Sequence, residues 1–118
     1  MHERFDDVSR AVSYVASGVR SDFPGRTFEV TVERRGSTMC YTCTPLELTR
    51  VLLDACRRFP LASVHYNAEQ AEGPIAEIHC HCRGEKAPSC CRYSHPRSQV
   101  ILSVVPEPVL SGSAGREG

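Results

Sequence analysis

Apolar side chains recur at three- and four-residue steps from the start of the chain, at Phe5, Val8, Val12, Val15, Ala16 and Val19. That spacing predicts an amphipathic helix over Glu3 to Ser17, stopped at Gly18, with Asp6 and Asp7 in a first turn where negative charge suits the helix dipole. Phe23-Pro24-Gly25 breaks the pattern. From Thr27 to Glu33 the period changes to two: Phe28, Val30 and Val32 alternate with Glu29, Thr31 and Glu33, as in a half-buried strand. Arg34-Arg35-Gly36-Ser37 reads as a turn, and Thr38 to Cys43 as its hairpin partner. Thr44-Pro45-Leu46-Glu47 is the sharpest local signal. Thr44 suits the N-cap, Pro45 the first helical position, and Glu47 completes a capping box. The helix it opens carries Leu48, Val51, Leu52, Ala55, Cys56 and Phe59 on one stripe and ends at Pro60.

Leu61 to Asn67 predicts another strand, and Ala68 to Pro74 a polar loop. Ile75 to Cys82 alternates again, with Ala76, Ile78, Cys80 and Cys82 on one face and Glu77, His79 and His81 on the other. A loop over Arg83 to Pro96 leads into Gln99 to Val105, whose β-branched side chains suit a central strand. The expected fold is a small single α+β domain over residues 1–106, mainly antiparallel sheet with two helices and stabilised by zinc, followed by a disordered tail over 107–118.

At 118 residues and 41% hydrophobic, the chain supports one core. Fourteen basic residues balance fourteen acidic ones, so composition does not support a broad basic surface for nucleic acid. No apolar run approaches the ~20 residues of a membrane-spanning helix. The N-terminus is charged from Glu3 and Arg4 onward, unlike a signal peptide. Seven cysteines, an odd number, then point to reduced thiols rather than a disulfide framework. Such thiols serve either as metal ligands or as small buried hydrophobes.

Cys40 and Cys43 form a C-x-x-C pair at the end of a strand; Cys80-His81-Cys82, then Cys90-Cys91 and His95, form a second cluster. Zinc takes four soft ligands at tetrahedral corners, commonly two pairs joined by folding. Cysteines at i and i+2 on a strand share a face, so Cys80 and Cys82 can chelate together, with Cys90 and either Cys91 or His95 returning from the loop. Cys40 and Cys43 supply a further pair if the first hairpin lies beside the later strands. The alternative is that Cys80 and Cys82, on the core face with Ile78, are metal-free packing residues like Cys56. His65 and His79 read as solvent-facing strand residues. A cysteine nucleophile would need an activating histidine and an oxyanion site. Cys91 and His95 are close in sequence, yet no nucleophile elbow, Gly-rich oxyanion loop or phosphate-cradling motif accompanies them, so no enzymatic activity is expected.

The run Ile78-His79-Cys80-His81-Cys82, followed after seven residues by Cys90, resembles a segment of the adenovirus early-region-four thirty-four-kilodalton proteins, as a shortened paralogue. Thr44 to Phe59, with Cys56 near its end, and Gln99-Val100-Ile101-Leu102 are similar to that family's helix and following strand. The resemblance implies a zinc-binding viral early regulatory protein of the host nucleus, present also in the cytoplasm, that acts as an adaptor. Its implied partners are the early-region-one-B large protein, p53 and components of a host cullin ubiquitin ligase, with late viral mRNA export as a second role. Leu52 and Cys56 match the leucine and cysteine of an elongin-binding box, with Val51 and Pro60 where that box has a small and an aliphatic residue. The competing expectation is a zinc-dependent RNA-binding module or silencing suppressor. It would use Arg34-Arg35, Arg57-Arg58, Arg83 and Lys86 for phosphates and Tyr93 for stacking.

Overall fold

Three of the period-two segments become strands with the alternation intact. In β2 (Phe28–Arg34), Phe28, Val30 and Val32 are buried; in β5 (Ala76–His81), Ala76, Ile78 and Cys80; in β6 (Val100–Pro106), Val100, Leu102 and Val104. The structure, a computed structural model of the chain, describes residues 2–34, 36–70, 72–81 and 100–108. Among these, β1 (His2–Phe5), β3 (Ser37–Cys43) and β4 (Leu61–Tyr66) complete a six-stranded antiparallel sheet in the order β1-β4-β5-β6-β2-β3. The α+β class with two helices is therefore as expected, and β6 lies inside the sheet as its β-branched composition suggested.

Both helices cover one face. α1 (Val8–Asp22) lies over β1, β4 and β5, α2 (Pro45–Cys56) over β2, β3 and β6, and the two touch each other. The core between the layers joins Val12, Val15 and Val19 of α1 to Leu48 and Leu52 of α2 and to the inward residues of the strands. Phe28 sits at its centre with no exposed surface, and burying a side chain of that size contributes about 2–3 kcal/mol.

The N-terminal segment differs from expectation. The predicted helix over Glu3 to Ser17 is a strand and a later helix, because Asp7 accepts a hydrogen bond from the Ser9 N–H (2.9 Å) and caps α1 there. Residues 2–5 instead pair with residues 62–65 of β4, and the Phe5 ring meets Tyr14 at 5.6 Å. Gly18 does not stop the helix, which continues one turn to Asp22. The glycine serves a close approach: a Cβ at position 18 would stand 3.0 Å from the Tyr66 ring. At α2 the expected start is realised in full, with Thr44 Oγ1 accepting from the Glu47 N–H (3.3 Å) and Glu47 Oε1 from the Thr44 N–H (3.0 Å). After β6, Glu107 is tied back to the start of β2. Its N–H donates to the Thr27 carbonyl (2.9 Å), and its own carbonyl accepts from Arg26 (2.8 and 3.1 Å).

Candidate functional site

The face of the sheet opposite the helices carries His65, His79 and His81. His65 of β4 stands opposite Glu77 of β5 in the register, and Ser63 opposite His79. Glu77 and His79, two residues apart on one strand, share a face, and His79 Nε2 lies 3.0 Å from Glu77 Oε1. Ser63 Oγ reaches diagonally to His81 Nε2 at 3.5 Å. A hydrolytic relay would need serine, histidine and carboxylate in one chain of contacts. Here the carboxylate meets His79 and the serine meets His81. Glu29 and Glu33 of β2 extend the same face and are exposed.

The cysteines divide between the two faces. Cys80 points into the core, fully buried, and is hydrogen-bonded to the equally buried Cys56 of α2. Cys56 in turn donates to the Leu52 carbonyl (3.2 Å). The contact with Cys56, and burial after it, push the Cys80 thiol far above the ordinary cysteine range, while the same contact lowers that of Cys56. Cys43 is buried beneath α2, and burial, aided by the Glu47 charge, raises its thiol too. Cys40, three residues earlier on β3, faces the opposite way and is exposed, its sulfur 3.9 Å from Thr31 Oγ1. Among the described residues, then, Cys40 and Cys43 lie on opposite faces. Both are also three strands from Cys80, about 14 Å at the usual strand spacing. No group of three or more His, Cys, Asp or Glu able to hold a metal ion forms among the described residues. Cys82, Cys90, Cys91 and His95 lie outside them, as do Arg83, Lys86, Tyr93 and residues 109–118 of the tail expected over 107–118, whose Glu107 is held against Arg26 and Thr27.

The feature that sequence reasoning missed is at the sheet's end. β3 is an edge strand with six of its seven residues exposed. Among the described residues, the large apolar side chains that remain exposed are Met39 (51%), Tyr41 (39%) and Leu46 (88%), all within one eight-residue stretch. Tyr41, Val51, Ala55, Arg34 and Asp54 line a shallow pocket of about 150 Å³ between β3 and α2. The available signal was the strand's composition: Ser-Thr-Met-Cys-Tyr-Thr-Cys contains no charge and no proline. Leu52 and Cys56, the two positions that match an elongin-binding box, are fully buried in the core. No family model, curated protein or solved structure matches this chain.

Proposed function

We propose that this domain is a non-catalytic adaptor that acts through protein–protein contacts made at the β3–α2 end of the sheet. The observation that carries the reading is the confinement of exposed Met39, Tyr41 and Leu46 to one edge. Exposed apolar side chains clustered on a protein surface mark contact sites, and aromatic and methionine side chains are favoured at their centres. The H-C-H-C-x7-C resemblance supplies the setting: a viral early regulatory protein of the host nucleus that redirects a ubiquitin ligase or promotes late mRNA export. The elongin-type contact is the least supported part of that setting, because Leu52 and Cys56 would have to leave the core to meet a partner.

Zinc belongs to the same proposal. The ion would be held by Cys82, Cys90 and either Cys91 or His95, with Cys80 as the fourth donor if its contact with Cys56 gives way to coordination. The RNA-binding reading is weaker, since Glu29, Glu33 and Glu77 place carboxylates on the face opposite the helices, with Arg4 as its opposing charge among the described residues.

The test is capture from human cell lysate, using purified protein shown to be folded by circular dichroism. Cullin-ligase components, p53 or the early-region-one-B large protein are expected on the wild-type chain and not on Leu46→Asp, a change at a position 88% exposed that leaves the fold intact. Equal capture by both proteins, or no capture by either, overturns the assignment to this edge.

A further inference from the structure

The β3 edge has a geometry that selects its own occupant. β2 and β3 pair without a bulge from Phe28↔Cys43 to Arg34↔Ser37, across a two-residue connection that includes Gly36 at φ +82°. In such a hairpin the flanking pair, Arg34 and Ser37, exchanges both backbone hydrogen bonds, and the bonded positions then recur at every second residue. Ser37, Met39, Tyr41 and Cys43 thus turn their backbone groups toward β2. The other side of the sheet agrees: the Thr27 carbonyl takes its hydrogen bond from the Glu107 N–H, so the odd-numbered residues of β2 face β6 and the even-numbered ones face β3. What remains is that Thr38, Cys40 and Thr42 present their N–H and C=O groups outward from the sheet.

Edge strands are usually blunted by charge, proline, a bulge or short length. The opposite edge follows this pattern, β1 having four residues that include Glu3 and Arg4. β3 has none of these protections.

We infer that β3 pairs antiparallel with β3 of a second copy of this chain, about a two-fold axis at Cys40, giving one continuous twelve-stranded sheet. This inference goes beyond the adaptor reading: it concerns the backbone edge of β3, whereas capture of other proteins is tested at Leu46 of α2. The register centred on Cys40 uses all seven residues of the strand and makes three bonded pairs: Thr38 with the partner's Thr42, Cys40 with the partner's Cys40, and Thr42 with the partner's Thr38. No charges are brought face to face, because the strand carries none. On the helix side Met39 falls opposite the partner's Tyr41. Met39 and Tyr41 of one chain are already in contact, with the Tyr41 hydroxyl 3.7 Å from Met39 Sδ. The two-fold doubles that contact into an apolar strip beside the pocket against Val51 and Ala55.

Sedimentation equilibrium in reducing buffer tests the inference. The wild-type chain is expected at twice its 13.1 kDa mass. Cys40→Lys sets two like charges opposite each other at the axis and is expected to weaken association at least tenfold, with an unchanged circular dichroism spectrum. Cys40→Ser, which keeps the strand uncharged, retains the dimer and so excludes disulfide exchange as the cause. A wild-type chain monomeric at roughly 100 µM, a concentration at which even weak specific pairs associate, overturns the inference, as does a dimer indifferent to Cys40→Lys. A monomer that still captures its partners through Leu46 leaves the adaptor reading standing while ending this one. A dimer that captures nothing does the reverse.

Discussion

The Tyr66 hydroxyl donates to Asp22 Oδ2 at 2.8 Å, closing the end of α1 onto β4, while its ring packs edge-on to Tyr14 and fills the space left by Gly18. Burial, and after it the Asp22 carboxylate, push the phenol well above the ordinary tyrosine range. Only the protonated phenol can donate, so the folded state holds this proton more tightly than the unfolded chain does. The stabilisation is therefore complete below the unfolded value, about 10, and is lost as pH rises beyond it toward the folded value. Tyr66→Phe keeps the ring and removes the donor. It is expected to lower stability by about 1 kcal/mol near neutral pH and to flatten the alkaline decline above pH ~10, measured by urea denaturation at several pH values. An alkaline decline as steep in the variant as in the wild type would place the titrating group elsewhere. A similar residue-level logic separates the thiols. Cys80 reads as a ligand from spacing, and its i+2 pattern is equally the pattern of a core-facing strand residue; the structure places it in the core against Cys56.

Elements whose signals are local were legible in the sequence. α2 is the clearest, because Thr44 and Glu47 satisfy each other's backbone without help from the rest of the fold. Thr44→Ala is expected to cost about 1 kcal/mol and to leave the unfolding slope unchanged, since it removes a cap and no buried area. A loss near zero in chemical denaturation would mean that the Leu48, Leu52 and Cys56 stripe alone fixes the start of the helix. Elements that exist only through distant pairing were not legible. β1 has four residues, too few for a period, and Phe5 happens to fall in step with Val8 and Val12, so a strand held by residues 62–65 read as the first turn of a helix. Gly18 read as a stop because helix-ending glycines are common, whereas its purpose lies in a Tyr66 ring forty-eight residues away. The edge position of β3 was likewise invisible. Its uncharged sequence was in plain view, but whether a strand is interior or at an edge is decided by sheet order, which local pattern does not encode.

For the whole molecule, the question is what holds the two layers together. Phe28, Leu48, Leu52, Ile78, Leu102 and the α1 valines form a closed apolar core, and its cysteines, Cys43, Cys56 and Cys80, pack within it as protonated or hydrogen-bonded thiols. The proposed zinc ion draws on Cys82, Cys90, Cys91 and His95, all in the stretch of chain between β5 and β6. Those two strands are already joined by five register pairs, from Cys80↔Val100 to Ala76↔Val104. Elemental analysis is therefore expected to find one zinc per chain. Removing it with a strong chelator should leave the far-ultraviolet circular dichroism in place and shift the thermal midpoint by only a few degrees, on the order of 1 kcal/mol for a domain of this size. Collapse of the fold on chelation would show that core thiols ligate the metal, and that the Cys80–Cys56 contact gives way to coordination. A metal-free preparation with the same midpoint would leave the aliphatic core as the sole source of stability and remove zinc from the proposed function.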